Sequence, residues 1–111
     1  MSGCSKPTVY IPLGSQTLVS FDMTPRLLSS ELLDGTPTVS DHNSTGELTI
    51  SNKQINSVAD DENDIAIGKA VQFKISTSST TCKTYEIDIS VDTNGVPVQV
   101  LADKLLIVFH D

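Results

Sequence analysis

The sequence predicts an all-β protein built as a two-sheet sandwich of about seven short strands, and three observations carry that reading. First, over Lys83 to Asp92 the residues Tyr85, Ile87, Ile89 and Val91 alternate with Glu86, Asp88, Ser90 and Asp92. This is the period-two pattern of a half-buried antiparallel strand. Second, Asn94-Gly95 follows directly. Both residues tolerate the positive φ of a tight hairpin turn, so the chain is expected to reverse there and return through Val98 to Val108. Third, further short apolar runs recur along the chain between clusters of Gly, Pro, Asn, Asp, Ser and Thr, the spacing of a sandwich rather than of helices.

Taken in order, residues 1–15 read as an extended N-terminal arm. Pro7, Pro12 and Gly14 flank the apolar patch Val9, Tyr10, Ile11 and Leu13. Its prolines remove backbone donors, so the arm suits a sheet edge or a neighbouring subunit better than a sheet interior. Residues 16–111 form the sandwich domain. Gln16 to Met23 is its first strand, with Val19, Phe21 and Met23 turned one way. Thr24-Pro25 ends it, and the leucine-rich Arg26 to Leu33 reads as a short helical turn or irregular crossover.

Asp34-Gly35-Thr36-Pro37 is read as a turn before a brief strand at Thr38 to Ser40. Asp41 to Gly46 is a polar loop, and its Asn43-Ser44-Thr45 sequon reads as part of that turn. Two short strands follow at Glu47 to Ser51 and Lys53 to Val58, with Leu48, Ile50 and Ile55 inward. Asp60 to Asp64 is an acidic loop. Ala70 to Thr77 is a firm strand with Val71, Phe73 and Ile75 on one face, and Ser78 to Thr81 is a turn of small hydroxyl residues. The final strand breaks the alternation, because Leu105 to Phe109 are all apolar, and such a run is covered on both faces. The expected core is Phe21, Phe73, Tyr85, Ile87 and Ile107. The arrangement is that of an immunoglobulin-like sandwich without the disulfide and Trp of antibody domains.

At 111 residues the chain fits one domain. Fourteen acidic against seven basic residues give a formal charge of −7, which repels a phosphate backbone and argues against a nucleic-acid partner. Five aromatic residues and no Trp leave little for base or sugar stacking. The N-terminus lacks the apolar run of a secretory signal, and no stretch approaches the roughly 20 apolar residues of a membrane span, so no membrane partner is expected and synthesis in a cytoplasm is. Cys4 and Cys82 are far apart in sequence. A bridge between them has no support from spacing, and Cys82 reads as structural.

No reactive constellation emerges, so no enzyme activity, cofactor or metal is expected. His42 and His110 lack paired metal-ligand spacing and read as solvated. Asp60, Glu62 and Asp64 alternate like a calcium loop, but Ile65 stands where the turn glycine belongs and Val71 where a bidentate Glu belongs. There is no Gly-flanked nucleophile elbow. Glu86 and Asp88 share a strand face, an arrangement read as a solvent-facing stripe that keeps the sheet soluble.

The strand and turn pattern resembles the small tailed-bacteriophage virion proteins of immunoglobulin-like fold, of the fiber-tail adaptor type. The resemblance runs over residues 16–110, through Leu18-Val19-Ser20-Phe21-Asp22-Met23-Thr24-Pro25-Arg26-Leu27, Thr38-Val39-Ser40, Val71-Gln72-Phe73-Lys74-Ile75-Ser76, Lys83-Thr84-Tyr85-Glu86-Ile87 and Thr93-Asn94-Gly95. It implies a non-enzymatic structural subunit made in the host cytoplasm and present in several copies in the virion, where it joins tail or neck components such as fibers to the particle. The alternatives are a capsid cement or decoration protein and a carbohydrate-binding sandwich used in host recognition. On this reading the partners are other virion proteins. The candidate subunit interface is Val9, Tyr10, Ile11 and Leu13 of the arm together with Leu106 and Val108 of the last strand, the arm being mobile in the free protein and ordered against a neighbour.

Overall fold

A computed structural model of the chain describes residues 7–111 apart from Ser29 and Asn63. It is an all-β, immunoglobulin-like sandwich of seven strands: β1 (Thr8–Pro12), β2 (Thr17–Asp22), β3 (Leu33–Asp41), β4 (Leu48–Ile55), β5 (Ala70–Thr77), β6 (Lys83–Thr93) and β7 (Val100–His110). One sheet has the order β1-β7-β6-β3, the other β2-β5-β4. All neighbouring pairs are antiparallel except β1 with β7.

The alternation read from the sequence fixes which side of each strand is inside. Val19 and Phe21 of β2, Val71, Phe73 and Ile75 of β5, Tyr85, Ile87, Ile89 and Val91 of β6, and Leu105, Ile107 and Phe109 of β7 are all buried between the sheets. The five expected core residues are among them. Tyr85 and Phe109 meet edge to face, with ring centroids 5.7 Å apart and planes at 81°, the geometry favoured by the ring quadrupoles. Leu48, Ile50 and Ile55 pack against this core from the edge of the smaller sheet.

Four sequence expectations change. The arm is not free: Thr8–Pro12 is a strand of the domain's own larger sheet, so the sandwich begins ahead of residue 16. Main-chain bonds from the Leu106 N–H to the Pro7 carbonyl and from the Leu13 N–H to the His110 carbonyl turn the odd-numbered residues of β1 toward β7. In a parallel ladder the alternate residues then face away, so the missing N–H of Pro12 falls on the open edge, where it costs no ladder bond. The two strands expected at Glu47 to Ser51 and Lys53 to Val58 are one, because Asn52 takes φ +53° and absorbs a register shift between Ser51 and Gln54. The Asp34 to Pro37 turn is instead a bulge inside β3, with Gly35 at φ +78°. The β6-β7 connection is a six-residue loop and not a two-residue turn. The Thr93 N–H reaches the Gln99 carbonyl at 2.9 Å, and Asn94 spends its side chain on the Leu32 N–H at 2.9 Å.

The strand directions gather the loops at two ends. Residues 13–16, 42–47 and 78–82 lie at one end, and residues 23–32, 56–69 and 94–99 at the other. Asn56 organises the second end. It is buried, its amide nitrogen donates to the carbonyls of Val58 and Ala66, and its amide oxygen accepts from the N–H groups of Lys69 and Ala70, all within 2.9–3.1 Å.

Candidate functional site

Three of the six residues expected at a subunit interface share the outer face of the larger sheet. Tyr10 is in register with Val108, and Leu106 lies between Thr8 on one side and Glu86 on the other. Tyr10 is 68% exposed, and Leu106 and Val108 are half-buried by their neighbours. The other three are turned inward. Ile11 is 1% exposed and belongs to the core, and Val9 and Leu13 pack against that core. Period two explains the division: once β1 joins the sheet, its odd-numbered side chains face the sandwich interior and Tyr10 faces out. Ile11, Val9 and Leu13 are therefore corrected from interface to interior. The apolar run of β7 has a matching account, with Leu105, Ile107 and Phe109 inside and Leu106 and Val108 on this outer patch. Residues 1–6 of the expected arm, with Cys4, lie outside the described residues.

Next to the patch sits a charged cluster. The ladder from β3 to β6 continues one step past Asp41, since the His42 N–H donates to the Glu86 carbonyl. This holds the imidazole over β6. Its Nδ1 lies 2.8 Å from Asp88 Oδ2 and 3.9 Å from Glu86 Oε2. Lys104, in register with Asp88, places Nζ 2.8 Å from Asp88 Oδ1, 3.1 Å from Glu86 Oε2 and 3.3 Å from His42 Nδ1. Lys104 is a donor only, and both carboxylates serve it, so His42 Nδ1 donates to Asp88. The Lys104 ammonium, then the imidazole, hold the Asp88 carboxyl below the ordinary aspartate range, and Asp88 and Glu86 in turn raise Lys104.

His42, Glu86 and Asp88 can present one ligand atom each within 4.8 Å of one another. The fit to a cation is poor, because Lys104 already supplies the positive charge that such a trio would hold. His42 is exposed, in keeping with the sequence reading of a solvated histidine, and is also a partner of Asp88, which that reading did not include. The only signal for it was its place immediately after β3. His110 does stay apart, with its ring against the carbonyl of Asp111.

A second polar group closes the loop end that holds residues 42–47 and 78–82. The Tyr85 hydroxyl donates to Glu47 Oε1 at 2.7 Å and meets Thr77 Oγ1 at 3.0 Å, while Lys83 Nζ bonds both Glu47 oxygens at 2.9 and 3.0 Å. Hydrogen bonds from Tyr85 and Lys83 lower the Glu47 carboxyl, burial pushes the Tyr85 phenol up, and Glu47 raises Lys83. These contacts tie Glu47, just ahead of β4, and Thr77 of β5 to β6 of the other sheet. Every member is used in the tie, and none is left as an activated nucleophile or base.

The outer face of the larger sheet therefore offers an aromatic and two aliphatic side chains beside a charged cluster whose Lys104 pairs with both carboxylates. The apolar part of this surface can be covered by another protein with the charged cluster left at the rim. No protein-family model, curated protein or solved structure matches this chain.

Proposed function

We propose that this protein is a non-enzymatic structural subunit of a tailed-bacteriophage virion, an adaptor that joins tail or neck components such as fibers to the particle, and that it works through the Tyr10, Leu106 and Val108 face. The observation that carries the reading is the patch itself, an apolar group on the solvent side of the larger sheet, bordered along β6 and β7 by Glu86, Asp88 and Lys104. An adaptor needs surfaces, and the titratable clusters described above are all consumed in internal pairs. The virion assignment rests on the strand and turn resemblance over residues 16–110. A carbohydrate-stacking role has weaker support, because Tyr10 is the one aromatic side chain left exposed and a stacking platform uses several rings.

Mass spectrometry of purified particles tests the assignment. The chain is expected at a fixed multiple of a known tail or neck protein. Its absence from particles would overturn the reading. A Tyr10→Ser, Val108→Ser double variant should fold, since both side chains point outward, and should fail to enter particles.

A further inference from the structure

The loop end that contains residues 23–32, 56–69 and 94–99 carries most of the large apolar side chains that the chain leaves in water. Leu28, Leu32, Val58, Ile67, Val96 and Val98 are exposed there, at 67%, 40%, 73%, 56%, 100% and 60% respectively. Residues 32 and 33 join the three loops. Leu33 N–H donates to the Gly68 carbonyl, Asn94 N–H donates to the Leu32 carbonyl, and the Leu32 side chain lies against Gly68 so closely that a Cβ there would come within 3.2 Å of it. Asn56 fixes the base of the middle loop, so Val58 and Ile67 sit on an anchored frame. The opposite end is built from His42, Asn43, Ser44 and Thr45 and from Ser78 to Cys82, and shows no exposed large aliphatic side chain among the described residues. Several exposed aliphatic side chains gathered at one end of the molecule, and none at the other, mark a surface that another molecule can cover.

Charge decides what covers it. Asp34, Asp61, Glu62, Asp64 and Asp92 are exposed around these loops. The cations over the same stretch are Lys53, Lys69 and Arg26, and Arg26 is paired with Asp103 at 2.8 Å. A second copy docked end to end would set carboxylates against carboxylates, and anionic lipid or nucleic acid would meet the same repulsion. Exposed apolar side chains interspersed with carboxylates are complementary to a partner whose apolar side chains are bordered by basic ones. We propose that this loop end is a second docking surface, taking a protein segment whose exposed aliphatic or aromatic side chains are bordered by Lys and Arg. The proposal is independent of the virion assignment. It makes the molecule bivalent, since the Tyr10, Leu106 and Val108 patch lies on a sheet face and toward the other end of β7.

The test is an amide chemical-shift titration of the full chain with two synthetic peptides that share a Leu-Phe centre, one flanked by Lys and Arg, the other by Asp and Glu. The basic peptide should shift residues 23–34, 56–69 and 92–100 saturably. Its affinity should fall roughly fivefold or more between about 0.05 M and about 0.5 M NaCl. The acidic peptide should leave these residues unmoved. A Val96→Ser, Val98→Ser variant, altered only at solvent-facing side chains, should keep its spectrum and lose at least about nine-tenths of the binding. Equal binding of both peptides, or shifts spread over the whole acidic surface and unchanged in the variant, would overturn the proposal. So would concentration-dependent shifts of the same loops without peptide, which mark a second copy as the occupant. Co-sedimentation through these loops with phosphatidylcholine vesicles in place of peptide binding would likewise overturn it in favour of lipid.

Discussion

Phe73 has no exposed surface and sits at the centre of β5, so truncating it leaves a cavity that its neighbours can only partly fill. Phe73→Ala should cost about 3–5 kcal/mol in a denaturant melt; a loss below about 1 kcal/mol would contradict the packing. Asn56 is the more informative residue. Its amide serves two carbonyls and two N–H groups, of which the bond from Ala70 is fully buried, and Asn56→Ala should cost roughly 1–3 kcal/mol as those groups lose their partners. Asn56→Asp should do no better than the alanine variant, because a carboxylate cannot donate to the Val58 and Ala66 carbonyls. Recovery by Asp would mean that the amide nitrogen is not used. Phe73 was legible in the sequence from period two alone. Asn56 was not, since a polar residue at the end of a weakly apolar run looks like any loop residue until the chain returns to meet it.

At the scale of elements, β1 and the charged cluster on β6 and β7 carry the predictions. Removing residues through Leu13 takes Ile11 out of the core and uncovers the edge of β7. Burial of one large aliphatic side chain is worth about 1.5–3 kcal/mol, so the truncated protein should melt at a clearly lower temperature. An unchanged melting temperature would show that β1 does not belong to the fold. The composition of the segment, with two prolines, suggested an arm, and its role as an edge strand depended on a parallel pairing with a strand nearly a hundred residues later. Local sequence does not encode such a partner. The loop after β6 was misread for a related reason: Asn94 can take a positive φ, but here its side chain and N–H bind Leu32 instead. Asp88 gives the pH dependence. Its folded value is depressed by Lys104 and His42, so its contribution is present above the ordinary aspartate value and is lost as pH falls through the folded one. Glu47, lowered by Tyr85 and Lys83, acts with the same sign. Melting temperature should therefore drop on acidification below about pH 4, and less steeply in Asp88→Asn than in the parent. Identical acid profiles would remove Asp88 from this account.

Across the whole molecule, the strand faces were written in the sequence while the surfaces had to be assembled in space. Alternation in β2, β5 and β6 identified the core correctly because each face is decided within a few residues. The seven-strand total agrees with the structure, yet two expected strands fused at Asn52 and β1 made up the number. Of the expected interface, Tyr10, Leu106 and Val108 lie outward and Val9, Ile11 and Leu13 inward, a split that needed the register of β1 on β7. The apolar loop end was invisible, because Leu28, Val58, Ile67, Val96 and Val98 are scattered singly through three loops that only the topology unites. The most direct test of the central claim is quantitative mass spectrometry of purified particles grown with either the parent chain or the Tyr10→Ser, Val108→Ser variant. The account predicts the parent chain at fixed stoichiometry and the variant, shown to be folded by its melt, missing from particles. A parent chain absent from particles, or a variant present at the parent level, would contradict it.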